Sequence, residues 1–124
     1  MRVYINAWFA KFARQEGIED FQLVEAVVRA NIGLIDADLG AGVIKQRISR
    51  QGAGKSGGFR TIIFFKARNR AIFMFGFAKK AKKNLTHEEL LEMKRASREM
   101  LQLSQDQIDH LVRLKKLQEI RFGH

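Results

Sequence analysis

Residues 59–77, FRTIIFFKARNRAIFMFGF, hold two apolar runs separated by a short basic turn. Phe59–Lys66 and Ala71–Phe77 are rich in β-branched and aromatic residues, apolar at odd and even positions alike. A strand wetted on one side alternates apolar with polar residues, whereas a strand buried on both sides does not. The two runs therefore predict central strands covered on two faces. Ala67-Arg-Asn-Arg70 between them predicts the hairpin turn.

Working outward, Val43–Arg50 alternates in part, with Ile44 and Ile48 on one face and Lys45, Arg47 and Ser49 on the other. It joins the central pair through the glycine-rich connection Gly52–Gly58, which predicts a three-stranded meander. Further upstream, Arg2–Ile5 is a short strand candidate. Ile5, Trp8, Phe9 and Phe12 then fall at i, i+3, i+4 and i+7, the stripe of a helix lying on a core, with Gly17 as its end. A second helix is expected over 19–31, with Phe21, Val24, Val27 and Val28 on its apolar side, and Gly33, Gly40 and Gly42 mark a loop.

Downstream, Thr86-His-Glu-Glu89 has the pattern of a capping box, with Leu85 and Leu90 placed as a hydrophobic staple. Ser104-Gln-Asp-Gln107 repeats the device between Leu103 and Ile108, so two helices are expected, about 86–102 and 104–120. Ile108, Leu111, Leu114 and Leu117 form the apolar side of the last one. The order β-α-α-β-β-β-α-α is that of an α+β domain with a mainly antiparallel sheet. At 124 residues the expectation is a single domain over 1–124, its core 1–95 followed by a helical extension over about 96–124.

Charge is distributed unevenly. The net charge is +10, yet residues 1–42 carry four basic and six acidic side chains, and residues 84–124 carry seven of each. Residues 43–83 hold twelve Lys or Arg and no Asp or Glu. Such a field attracts polyanions, of which a phosphate backbone is the commonest. An anionic membrane would favour a basic amphipathic helix, and this stretch reads as strand. The absence of cysteine excludes disulfides and thiolate chemistry and points to a cytoplasmic protein. No apolar run approaches the length of a bilayer span, and the N-terminus does not read as a signal peptide.

Several local patterns need weighing as chemistry. Gly54-Lys55-Ser56 has the ending of a phosphate-binding P-loop, but Ser49 stands where that motif needs a glycine and a β-type run follows where it needs a helix. What remains is a glycine loop whose amides, with Lys55 and Ser56, suit a nucleic-acid phosphate. His87, His110 and His124 lie outside the basic region and are not clustered, so no metal site and no cofactor is expected. Asp36 and Asp38 read as turn chemistry.

Metal-free RNA cleavage requires a base for the ribose 2′-OH, cations for the charge developing on phosphorus and an acid for the leaving oxygen. Arginine stays protonated and suits the clamping role. Lysine crowded by like charges holds its proton less firmly, so the cluster at residues 79–83 is a candidate source of a base.

The segments Gly42-Val-Ile-Lys-Gln-Arg-Ile-Ser-Arg50, Gly52-Ala-Gly-Lys-Ser-Gly-Gly-Phe-Arg-Thr61 and Phe75-Gly-Phe-Ala-Lys79 resemble the HigB-like branch of the RelE/ParE toxin superfamily. Asn84-Leu-Thr-x-x-Glu-Leu90 resembles the start of that branch's helix after the sheet. The resemblance implies a small α+β toxin that cleaves mRNA, usually at the ribosome, and is silenced by a co-encoded antitoxin with a helix-turn-helix DNA-binding domain. By position, Arg47, Lys55, Arg60 and Lys79 match the family's basic active-surface residues, and Lys82 stands where relatives often carry arginine. Lys45, Arg50, Ser56, Lys80 and Lys83 are the accompanying RNA-binding candidates. The chain departs from the family where its tail reads Ala78-Lys-Lys-Ala-Lys82, and its sole tyrosine, Tyr4, lies far from these motifs. The expectation is a metal-independent endoribonuclease. Two alternatives stay open: a same-fold toxin acting on a protein such as gyrase, and a non-enzymatic nucleic-acid-binding module.

Overall fold

The computed structural model describes residues 1–49, 58–81 and 85–121. Along the chain these form β1 (Arg2–Asn6), α1 (Ala7–Glu16), α2 (Asp20–Asn31), β2 (Ala37–Gly40), β3 (Val43–Ile48), β4 (Phe59–Lys66) and β5 (Arg70–Ala78). A short 3-10 turn at Lys79–Ala81 follows, then α3 (His87–Gln102), α4 (Gln105–Arg113) and β6 (Leu117–Ile120). The six strands make one sheet in the order β2-β3-β4-β5-β1-β6. Every neighbouring pair is antiparallel except β1 with β5. The chain is thus α+β with a mostly antiparallel sheet, as its element order predicts.

The apolar run at 59–77 has the expected cause. Phe59, Ile63, Phe65 and Phe73 face α1 and α2 in one core, together with Phe9, Leu23 and Val27. Ile62, Phe64 and Ile72 face the other way, into a second core with Tyr4, Ile108 and Leu117. Full burial of one such side chain contributes about 1.5–3 kcal/mol, so covering both faces of β4 and β5 is a principal source of stability. At Gly76 the backbone comes so close to α1 that an added Cβ would lie 2.6 Å from the Phe12 ring. The absence of a side chain there lets Phe12 lie flat against the strand.

Helix starts follow their sequence signals. Asn6 Oδ1 accepts from the Phe9 N–H at 2.8 Å to cap α1, and Gly17 closes that helix at φ 69°. The Thr86/Glu89 and Ser104/Gln107 boxes both form, with each hydroxyl accepting at 3.1 Å and each side-chain carbonyl or carboxylate oxygen accepting at 2.8–2.9 Å.

Four readings change. Gly40–Gly42 is a tight hairpin, with Ala41 at φ 54° and Gly42 at φ 82°, and it adds β2 to the sheet. Consecutive positive φ angles are what a two-residue hairpin requires, and four preceding residues are too few for periodicity to reveal a strand. The helix expected over 104–120 stops at Arg113, because Lys115 turns the chain at φ 61°. Leu117–Ile120 then pairs antiparallel with β1, so the segment beyond residue 95 is not helical throughout. In α2 the core face is Leu23, Ala26, Val27 and Ala30, while Phe21 and Val28 are exposed. The stripe at i, i+3, i+4 and i+7 passes through two alanines, whose small side chains let the helix approach the sheet. Finally, Trp8 and Leu114, assigned to apolar faces, are largely exposed.

Two polar ties hold distant segments together. Buried Gln46 donates to the Ala26 and Leu34 carbonyls at 2.9 and 3.2 Å and accepts from the Asp36 N–H at 2.8 Å. Arg2 donates from Nε and a terminal nitrogen to the two oxygens of Glu119, both at 2.8 Å, locking β1 to β6. This hydrogen bonding holds the Glu119 carboxyl below its ordinary range and raises the Arg2 guanidinium.

Candidate nucleic-acid interface

The antiparallel register brings the basic residues of separate motifs to one end of the sheet. Arg47 on β3 lies directly opposite Arg60 on β4, and Arg60 lies opposite Phe77 on β5. Lys79 continues the row: its N–H donates to the Gly58 carbonyl at 3.0 Å, just past the Phe59–Ala78 pair. Lys45 precedes Arg47 by two residues on the same face of β3, opposite Ile62. Lys79 and Lys80 are exposed, and Arg60 and Lys45 are half-buried. The other candidates, Arg50, Lys55, Ser56, Lys82 and Lys83, lie outside the described residues, as does the glycine loop before Gly58.

Arginine facing arginine breaks the local rule for sheets. Directly opposed side chains have Cβ atoms about 4.5–5.5 Å apart, and like charges at that spacing destabilise the pair. One compensating charge is supplied. Asp36 accepts from the Arg47 N–H at 2.6 Å, and its carboxylate lies 3.7 Å from the Arg47 guanidinium and 3.7 Å from that of Arg29. Arg29 in turn donates to the Arg47 carbonyl and pairs with Glu25 at 2.7 Å. The arrangement fixes the backbone at Arg47 while its side chain stays 59% exposed. An anion placed across the pair would relieve the remaining repulsion, and a phosphate matches the fork of a guanidinium.

Asp36 was read as turn chemistry, and that reading holds for Asp38 alone, whose Oδ1 accepts from the Gly40 N–H at 2.9 Å. The sequence signal for Asp36 was absent, since its partner is eleven residues away on another strand. Trp8 was also missed. It is 45% exposed and stacks on Phe75 with ring centroids 4.4 Å apart. Phe75 and Phe77 are half-buried, their centroids separated by 6.1 Å. A helical stripe reveals that a residue faces the sheet, but not whether the sheet ends beside it.

Other candidates for proton transfer stand elsewhere. Tyr4 is fully buried, and its hydroxyl accepts from Gln105 Nε2 at 2.8 Å. His87 and His110 are exposed on α3 and α4. No His, Asp or Glu group suited to a metal ion occurs among the described residues. Nor, among them, is any helix long and apolar enough to cross a membrane.

The class of protein is thus an α+β fold on a six-stranded, mostly antiparallel sheet, one end of which carries the water-facing Arg47, Lys79 and Lys80. The family model for the RelE toxin of the RelE/RelB toxin-antitoxin system matches residues 1–120. The chain belongs to the RelE toxin family, within the RelE/ParE superfamily, and membership implies an antitoxin partner. A comparison with curated proteins returns no match.

Proposed function

We propose that this toxin is a metal-independent endoribonuclease of the HigB-like branch that cleaves mRNA at the ribosome. Its place of action is the cytoplasm, and it is held inactive by an antitoxin carrying a helix-turn-helix domain. The observation that carries this reading is the opposed pair Arg47 and Arg60, with Lys79 on the neighbouring strand end. Two fixed cations clamp the scissile phosphate and stabilise the charge that develops on it. Lys79 or Lys82 takes the proton of the 2′-OH, whose oxygen bonds to phosphorus as the bond to the 5′-oxygen breaks. That leaving oxygen takes a proton from a second, charged lysine of residues 79–83, and Lys55 adds charge from the glycine loop. Lys45, Arg50, Ser56, Lys80 and Lys83 track the flanking phosphates. The chain as a whole, residues 1–124, is one such toxin domain.

The test is induction in growing cells with mapping of mRNA 5′ ends. New ends accompanying growth arrest, both lost in an Arg60→Ala, Lys79→Ala double variant, support the ribonuclease. Arrest with intact mRNA replaces it with a protein target such as gyrase. Intact mRNA and normal growth, with salt-sensitive RNA binding retained in vitro, leave a binding module.

A further inference from the structure

The far end of β5 carries two half-buried aromatic side chains, Phe75 and Phe77. Strand β1 pairs with β5 as far as Ile5–Phe73, and Asn6 Nδ2 donates to the Met74 carbonyl at 3.0 Å. The chain then turns into α1, while β5 runs on to Ala78. Trp8, on the first turn of α1, lies beside that extension. Its indole stacks on Phe12 at 5.3 Å and 17° and on Phe75 at 4.4 Å and 29°, yet 45% of the residue faces water. Phe75 leads to Phe77 at 6.1 Å, and Phe77 is the cross-strand neighbour of Arg60. A line of rings thus runs from solvent to the basic row.

We propose that the water-exposed part of Trp8, held by Phe12 and Phe75, is the stacking platform for an unpaired base of the RNA whose phosphates lie on Arg60 and Lys79. The assignment rests on the RNA reading above. Three physical points favour it. A large ring left nearly half in water is already held in place by Phe12 and Phe75, so little side-chain entropy is lost when a base packs against it. Single-stranded nucleic acid is bound by this combination of a basic track and aromatic faces, because every base has a π-face and every linkage a charge. The neighbouring cations supply the charge complementarity that selects a nucleotide over an apolar peptide.

Trp8 is the sole tryptophan, so its fluorescence reports on this position alone. The experiment titrates the whole protein with a 2′-O-methyl RNA oligonucleotide, which cannot be cleaved through the 2′-OH, and with an abasic oligonucleotide of equal charge. Anisotropy of labelled oligonucleotide measures binding independently of the indole. The expected result is quenching by the base-bearing strand and not by the abasic one. Trp8→Ala should weaken the base-bearing strand roughly ten- to hundredfold and the abasic strand less than about twofold, with Trp8→Phe retaining most of the affinity. Binding without any Trp8 response overturns the platform and leaves the RNA reading intact. Equal weakening of both strands by Trp8→Ala also overturns it, because a structural loss is blind to the base. If neither strand binds the wild-type protein, the RNA reading falls and the platform with it. Should Trp8→Ala not fold, the wild-type titration and Trp8→Phe still decide.

Discussion

At the hairpin end of the sheet, Arg70 is 5% exposed and donates to the Met100 and Leu103 carbonyls, both at 2.9 Å, at the end of α3. At the opposite end, the Arg47 side chain is 59% exposed and faces Arg60 across the strands. Both arginines come from the same acid-free stretch, and nothing in their local sequence separates them. One guanidinium is consumed by two orphan carbonyls, which any helix leaves at its end. The other stands opposite a like-charged residue in register, 3.7 Å from the Asp36 carboxylate, with most of its side chain in water. The comparison teaches that a basic run is not a basic face: the hairpin divides it. Lys66, Arg68 and Arg70 go to one end of the sheet, and Arg47, Arg60 and Lys79 to the other.

The largest expected effect is on activity. Arg60→Ala with Lys79→Ala should lower RNA cleavage about a hundred- to thousandfold, the scale set by removing preorganised charge from a reacting phosphate. Lys66→Ala with Arg68→Ala should leave it within about twofold if the hairpin end is structural. Cleavage of a labelled transcript on programmed ribosomes measures both. Equal losses from the two pairs would erase the division.

Stability should respond in the opposite sense. Arg70→Met is expected to cost about 3 kcal/mol, because two part-buried carbonyls lose a charged donor. Arg60→Ala should stay within about 0.5 kcal/mol. Urea unfolding of the two variants gives the contrast, and a stable Arg70→Met protein would show the α3 carbonyls to be satisfied by water.

Salt sharpens the comparison further. Each phosphate contact removed from a single-stranded complex lowers the slope of log affinity against log salt by about 0.7. Arg60→Gln should show that change, measured by anisotropy over a salt series, whereas Arg68→Gln should show none.

The smallest effect concerns the β1–β6 tie, which lies at the hairpin end, where Arg2 is the register partner of Arg70. Glu119 has its carboxyl held low by Arg2, so the pair's contribution is complete above the unfolded carboxylate pKa of about 4.3 and is lost as pH falls through the lower folded value. Arg2 has a side chain 42% exposed, and solvent screening keeps the contribution to about 1 kcal/mol or less. Glu119→Gln should flatten the acid side of the stability profile by that amount and leave neutral RNA binding unchanged. A profile identical to wild type below pH 4 would show the pair to be energetically silent.

Much of the fold was legible because it rests on local signals. The two-sided apolar runs identify β4 and β5, and the Thr86 and Ser104 boxes place the starts of α3 and α4 to the residue. What escaped were elements of four residues. β2 and β6 are shorter than the window in which a strand differs from a helix, and each exists because a neighbour offers its open edge. At the candidate interface, Arg47, Arg60 and Lys79 were legible as residues but not as neighbours. Asp36 and Trp8 were misread, since an ion pair across strands and the place where a sheet ends beside a helix leave no mark on spacing.

By itself, the sequence determined the α+β class, the buried central strands, the helix caps and the concentration of positive charge in one third of the chain. These depend on residues near one another along the backbone or on composition alone. Tertiary structure decided which of those charges are used up inside the protein and which face water, that Arg47 stands opposite Arg60, and that Trp8 lies beside the exposed end of β5. These depend on strand register and on how the helices pack on the sheet, and both are set by contacts between segments that local sequence does not connect.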